Sequence, residues 1–348
     1  MKSDAVGLVN RNTYDFYSTL LLLAIVGCLF AYKGQASLGV VAHVGATGAF
    51  QPRNDVVPIG PVLPQLDVLT RTLNYFAVVW PALLFGILIS AAVRAYASPR
   101  WLVSRLESRS SRTQLVAGLA GVPLMLCSCC VAPIFTSVYE RSSRLGPSLA
   151  IMFAAPSLNP AALVLTFMLF QPRLAVARLA MGIMLVFLGA TVPGKLLAVP
   201  PGIPAAVWPP RPEKSLKELT HRFLYSLLHV AWRTVPALGV GVMLSMIGAE
   251  WLPMNLWVLP GAVFATIVIV ASMAVPLALP TFFEIPLALT LLAAGAPNGA
   301  AAAVLFAGPA INLPSLFAMA RATNWKVAAT VACTVWLLAV LGGSLVGS

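Results

Sequence analysis

The stretch CSCCVAPIF at Cys127 to Phe135, followed by AAPSLNP at Ala154 to Pro160, returns later in the chain as LPTFFEIPL at Leu279 to Leu287 followed by AGPAINLP at Ala307 to Pro314. The two copies align without a gap. Pro133 matches Pro286, Gly146 matches Gly299, Pro156 matches Pro309, Asn159 matches Asn312 and Arg173 matches Lys326, each pair 153 positions apart. Upstream, WPALLFGILIS (Trp80 to Ser90) matches VPALGVGVMLS (Val235 to Ser245) at a separation of 155. Duplication inside an apolar chain is the pattern of transporters whose site lies between two halves.

Composition fixes the solvent. With 59% hydrophobic and 9% charged residues, and several apolar runs of roughly 20 residues, the chain hides its surface only in a bilayer. A soluble class is excluded. The net charge of +12 is not a nucleic-acid footprint, because the basic residues sit in short connections such as Arg94 to Gln114, beside apolar spans. That is the positive-inside signature of a multi-pass protein of the cell inner membrane, with lipid as its surroundings and a second copy of the chain as a candidate partner. The first apolar run, Asp15 to Tyr32, is longer than a signal-peptide core and is read as a retained helix.

Apolar runs predict spans near Asp15 to Tyr32, Asn74 to Ala97, Gly146 to Phe170, Leu174 to Leu197, Phe223 to Ala249, Gly299 to Ala320 and Trp325 to Val346. Two further segments, Leu115 to Tyr139 and Leu256 to Leu292, are interrupted by prolines. Were each to cross once, the basic connections at Arg94 to Arg112 and Lys195 to Arg222 would fall on opposite sides. Reading both as hairpins that enter and leave on one side puts Met1 to Arg11, Arg94 to Arg112, Arg141 to Arg144, Lys195 to Arg222 and Arg321 to Lys326 all in the cytoplasm. Arg173 alone dissents, at a short turn from which it can snorkel. The predicted fold is therefore an all-α polytopic membrane protein of two inverted repeats with proline-broken helices and hairpins, plus an extra N-terminal helix. The divisions are 1–73 (first helix and a polar periplasmic loop from Lys33 to Arg71), 74–198 (repeat 1), 199–221 (Pro-rich cytoplasmic linker) and 222–348 (repeat 2).

Pro156 and Pro160 lie 10 and 14 residues beyond Gly146, so at about 1.5 Å per residue the break falls near mid-membrane. Pro309 and Pro314 repeat it. Each proline removes an amide donor and frees a carbonyl that must be satisfied away from lipid. Asn159 and Asn312, between the prolines, either cap the broken backbone or contact a solute. Of five cysteines, Cys28 and Cys333 stand alone in apolar helices and read as packing residues. Cys127, Cys129 and Cys130 fall at the tip of the first predicted hairpin, where three thiols beside a break offer a soft site for trivalent arsenic or antimony, monovalent copper, mercury or zinc. A structural zinc centre takes four ligands, and the three histidines, His43, His221 and His229, are scattered. A transient two- or three-thiol site fits better than a permanent metal centre.

The run CSCCVAPIF, followed by YERSSRLGPSLAIMFAAPSLNPAALVLT, resembles the ArsP-type predicted permeases, whose members include exporters of trivalent organoarsenicals. In that family a CSC motif precedes a Pro, a Gly-Pro and a Pro-x-x-Asn element, here Cys127, Ser128, Cys129, Pro133, Gly146, Pro147, Pro156 and Asn159. The degenerate second copy is at Pro286, Gly299, Pro309 and Asn312. The resemblance implies a non-enzymatic permease without resident cofactor that exports a thiol-reactive solute, with Cys127 and Cys129 as its transient ligands and Cys130 as an auxiliary. Two other readings stay open: a membrane thiol oxidoreductase exchanging through Cys127 and Cys130, and a permease for another soft metal or a sulfur-containing solute. The sequence holds no P-loop, so an ion gradient, another subunit or the solute's own gradient supplies the energy. Glu284, between Pro280 and Pro286, is the coupling candidate, set against a carboxylate near the outer surface. His229 and Arg233, at i and i+4, permit a charged lining.

Overall fold

The computed structural model describes residues 2–50, 67–96, 111–142, 144–196, 216–250 and 262–347, and all of its regular structure there is helical. The helices are α1 (Lys2–Thr47), α2 (Val68–Tyr96), α3 (Ser111–Gly121), α4 (Ser128–Ser142), α5 (Leu145–Ser157), α6 (Pro160–Leu169) and α7 (Pro172–Met184). A short π-helical segment, Leu185–Gly189, leads into α8 (Ala190–Leu196). After it come α9 (Leu216–Glu250), α10 (Val263–Ala274), α11 (Glu284–Ala293), α12 (Asn298–Ala310), α13 (Leu313–Ala322) and α14 (Trp325–Val346). Six of the described helical stretches are long and apolar enough to cross a membrane, or seven if the bent pair α12 and α13 counts as one span.

The duplication is carried into the helix boundaries. The starts of α5, α6 and α7 at residues 145, 160 and 172 reappear as those of α12, α13 and α14 at 298, 313 and 325. The packing inside the two units repeats as well. A Cβ on Gly146 would meet Gln114 and the Ala190 carbonyl, and one on Gly299 would meet Ile267 and the Gly343 carbonyl, the same two positions one repeat later. In both units the short helix before the turn and the long closing helix press on this glycine, and the missing side chain lets the backbones approach.

Proline and asparagine make the breaks together. Pro156 and Pro309 lie within the last turn of α5 and α12, while Pro160 and Pro314 open the next helices at the first and second positions, where an amide donor is not needed. Asn159 Oδ1 accepts from the amides of Ala161 and Ala162 at 3.1 and 3.4 Å. Asn312 Oδ1 accepts from Ser315 at 3.1 Å, and Ser315 Oγ accepts from the Asn312 amide at 3.1 Å, a reciprocal capping box. The α12 and α13 axes diverge by 42° across their break.

The two proline-interrupted segments are helix–turn–helix units. Helices α3 and α4 have 11 and 15 residues, and α10 and α11 have 12 and 10. At about 1.5 Å per residue no such arm spans a hydrocarbon core of about 30 Å. The arms of each unit pack on α5 or α12 rather than on each other. Both turns contain a non-glycine residue with positive φ, Met125 at 48° and Phe282 at 76°, a backbone state that surrounding packing must enforce.

The N-terminal region differs from its sequence reading. The polar loop expected from Lys33 to Arg71 does not begin at Lys33: α1 continues to Thr47, with an apolar stretch from Thr19 to Thr47. Gly34, Gly39 and Gly45 are each tolerated in a helix at about 1 kcal/mol, and tertiary contact of α1 with α2 and α6 outweighs that cost. Helix α2 starts at Val68, ahead of the expected Asn74, and α9 starts at Leu216, so the end of the expected 199–221 linker is helical. The rest of the loop and linker assignments lies outside the described residues.

Gly86 of α2 sits where a Cβ would overlap the Cys130 carbonyl, whereas Gly239 of α9 has nothing within 4 Å. Gly86→Ala is expected to destabilise the protein by about 1–3 kcal/mol through overpacking. Gly239→Ala should be neutral or stabilising by up to about 1 kcal/mol, as expected for glycine replaced inside a helix. Thermal unfolding of both variants in a neutral detergent checks the contrast.

Candidate functional site

A left-handed residue at Met125 ends the 3-10 turn Val122–Leu124 and turns the chain, so that Cys127 precedes α4 and Cys129 and Cys130 lie in its first turn. The amides of Cys130 and Val131 close this turn by donating to the Cys127 carbonyl at 3.0 and 3.1 Å. The compact geometry gathers the sulfurs. Cys127 Sγ is 2.9 Å from Cys130 Sγ and 3.1 Å from Cys129 Sγ, and the last two are 3.8 Å apart. All three are free thiols, 5%, 2% and 0% exposed. Cys127 is the hub, since it alone lies within 3.1 Å of both others.

Two groups absent from the sequence reading join the thiols. Tyr75 of α2 places its Oη 3.0 Å from Cys129 Sγ. Lys33 of α1, in what was expected to be a loop, lies within electrostatic reach of Cys127. Its ammonium and the N-terminal end of α4 put positive potential at the sulfurs, which favours a ligand set carrying negative charge. Neither had a sequence signal, because each lies on another helix, more than 50 residues from the thiols.

From the thiols a polar ladder descends between α2 and α4. Cys130, Pro133, Ser137 and Glu140 recur at helical spacing on one face of α4, opposite Gly86, Ser90 and Arg94 of α2. Gly86 abuts Cys130, Ser90 Oγ donates to the Pro133 carbonyl at 2.8 Å and also bonds Ser137, and Arg94 pairs with Glu140. At the foot of the ladder Glu140 Oε1 also accepts from Arg233 Nη1 of α9 at 3.0 Å. Arg233, which the sequence offered only as part of a charged lining with His229, thus ties repeat 2 to the thiol helix. His229, one turn away from it, lines the same recess.

A second ionic site lies deeper. Arg178 Nη2 of α7 donates to Glu284 Oε1 at the start of α11 at 2.7 Å, and Arg178 Nη1 donates to Thr166 Oγ1 of α6 at 2.7 Å. The two charged side chains are 1% and 2% exposed. Glu284 is therefore not a surface carboxylate. Its Oε2 and the Arg178 Nε have no hydrogen-bond partner among the described residues, and Glu284 packs beside Gly308, one residue before Pro309. Positions one repeat away from the pair hold Val331 and Val131, both fully buried, so the ion pair exists once in a duplicated frame. Arg178 went unnoticed in the sequence because a single arginine in an apolar run carries no partner information.

The structure brings the thiols together but joins neither asparagine to them by a hydrogen bond among the described residues. The asparagine side-chain carbonyls serve as helix caps, and the buried Nδ2 of Asn312 has no acceptor among the described residues. Pro156 and Pro309 lie beside these caps, both buried within their helices.

Comparison with known proteins agrees with this architecture. The family described as "Predicted permease" (ArsP_1) matches residues 66–348. The chain is 30% identical to the UPF0718 protein YraQ of Escherichia coli over 288 residues, covering 81% of each chain. It is 27% identical to the UPF0718 protein YcgR of Bacillus subtilis over 96 residues, 28% of this chain and 33% of that one. No solved structure matches. A duplicated all-helical bundle whose match begins just before α2 and runs to the C-terminus thus belongs to the ArsP_1 predicted permease family.

Proposed function

We propose that this permease exports trivalent, thiol-reactive metalloid compounds, with organoarsenicals as the solute class that its chemistry fits best. The observation that carries the proposal is the sulfur triad, buried and free, with Cys127 within 3.1 Å of both neighbours. A trivalent arsenical bearing one organic group has two exchangeable hydroxyls. Each thiol that binds it forms a sulfur–arsenic bond and breaks an arsenic–oxygen bond, and the thiol proton leaves with the hydroxide as water. Two thiols hold the solute, and the third is placed to take over one position. Release is completed as each arsenic–sulfur bond breaks, when water forms an arsenic–oxygen bond and gives its proton back to the thiol. A pentavalent oxyanion lacks this affinity. The backbone carbonyls freed beside Pro156 and Pro309, and the amide of Asn312, supply polar contacts for the rest of the solute.

In this reading Glu284 and Arg178 couple transport to an ion gradient. A carboxylate bound to a guanidinium at the meeting of α7 and α11 joins the two repeats, and protonation of that carboxylate weakens the join. Removing one partner of a buried pair leaves the other unpaired, at a cost of about 3–5 kcal/mol. The informative variant is therefore the uncharged pair Arg178→Gln/Glu284→Gln. It should fold and bind solute yet lose accumulation driven by a pH gradient in inverted vesicles. Unchanged gradient-driven uptake would make the pair a structural tie.

The thiol geometry sets an order of effects in an arsenic-sensitive host. Cys127→Ser breaks both short contacts and should abolish resistance to trivalent organoarsenicals. Cys129→Ser and Cys130→Ser each leave one pair that includes Cys127 and should retain partial resistance, and none should alter arsenate tolerance. Full protection by a Cys127→Ser/Cys129→Ser variant at normal expression would remove thiol ligation from the mechanism. Thiol-dependent electron transfer by purified protein, in place of solute flux, would instead favour an oxidoreductase.

A further inference from the structure

Two guanidiniums meet one carboxylate, and a third lies beside them, where α2, α4 and α13 end. Arg94 and Arg233 both bind Glu140. Arg233 Nη2 donates to the Arg321 carbonyl at 3.3 Å, and Arg321 Nη1 donates to the Arg233 carbonyl at 3.4 Å. Among the described residues Glu140 is the one acid paired with this group, so two positive charges are unbalanced. Beside them lies a cavity of about 460 Å³ lined by His229, Trp232, Arg233, Pro236 and Arg321, with no acidic side chain in its described wall. Trp232 is 84% exposed at its mouth. A separate, smaller recess, lined by Ser90, Arg94, Pro133, Ser137 and Glu140 among others, shares His229 and Arg233 with the cavity and includes Pro133, about one turn from Cys130.

We infer that this cavity recognises an anionic group, a carboxylate or a tetrahedral oxyanion, carried on the organic part of the solute, and that Glu140 is the internal counter-ion which that group displaces. Guanidinium forks match such anions bidentately, and the Trp232 ring gives an attached aromatic group a surface. Displacement has a structural consequence, because Glu140 belongs to the thiol helix of repeat 1 and Arg233 to repeat 2. Once the anion takes Arg233, the bond across that end of the bundle is released and α4 is free to part from α9 below the thiols. The inference rests on the permease reading for the meaning of the route, while the recognition chemistry is independent of the thiols.

Phenylphosphonate tests it: an aromatic tetrahedral oxyanion without thiol chemistry. Titration calorimetry on the purified full-length chain in a neutral maltoside detergent should give saturable binding. Losing one charge-assisted contact should weaken that binding about tenfold in Arg233→Gln and in Arg321→Gln. Glu140→Gln should strengthen it, a sign that a merely structural role for Glu140 does not produce, and Cys127→Ser should leave it unchanged. Should Glu140→Gln fail to fold, Arg321→Gln, a substitution at an exposed position, decides alone. No binding by the unaltered protein, unchanged binding by both arginine variants, or weakening by Glu140→Gln overturns the inference. Binding that disappears once the protein is in phospholipid nanodiscs assigns the cavity to a lipid phosphate and also overturns it. Protection by the double cysteine variant would sink the thiol reading while leaving this binding intact, so the two failures are distinguishable.

Discussion

Backbone groups freed inside an apolar bundle have no water to turn to, and this constraint organises the molecule. Two prolines in each broken helix take away amide donors and interrupt the helical ladder, so every exposed carbonyl and amide at the break needs an internal partner. Asn159 and Asn312 meet much of that demand through their caps. The turn of the second helix–turn–helix unit meets more of it: the Leu313 amide donates to the Pro276 carbonyl at 3.2 Å, and the Ala278 amide to Ser245 Oγ at 2.6 Å. The short arms and broken helices are thus mutually dependent. Each supplies groups that the other cannot satisfy alone.

Duplicated sequence does not imply duplicated use. Around Gly146 and Gly299 the two units repeat their contacts position for position, whereas α2 and α9 depart from the symmetry. Gly86 and Gly241 are matched in sequence, yet Gly86 admits the backbone of Cys130 at the thiol turn and Gly241 admits that of Pro314 in a broken helix. Ser90 and Ser245 diverge in the same way, one donating to Pro133 and the other accepting from Ala278. The symmetric centre supplies a rigid frame, and the outer helices give one repeat the chemistry. The thiol turn occurs on one side only, because the matching positions of the second copy are Pro280, Phe282 and Phe283.

The two ionic sites differ in what their surroundings demand. Arg178 and Glu284 are enclosed, so each keeps its charge at a reasonable cost only through the other, and geometry couples α7 to α11. The Glu140 cluster is less enclosed, with Arg94 and Glu140 at 15% and 14% exposure and Arg233 at 38%, and it has more cations than anions, so its bonds cost less to exchange than those of the enclosed pair. One site is a fully enclosed tie between helices, and the other is a tie whose Arg233 side is open to the surroundings.

Much of this was legible in the chain itself. Apolar runs gave the bilayer, the offset of 153 gave the repeat, and the Pro-x-x-Asn elements located both breaks, because each depends on local chemistry that recurs at fixed spacing. The three thiols were legible as a cluster for the same reason: residues 127, 129 and 130 share one turn. Composition misjudged Lys33 to Thr47, where polar and glycine residues suggested a loop and contact with α2 and α6 sustains a helix. Sequence alone determined the membrane setting, the duplication, the helix breaks and the clustering of three thiols in one turn. Only the tertiary structure decided which distant side chains pair with these groups and with one another: Tyr75 at Cys129, Arg178 at Glu284, and Arg94 and Arg233 at Glu140. Those pairings depend on how helices far apart in the chain pack, and a pairing between helices leaves no periodicity in either one.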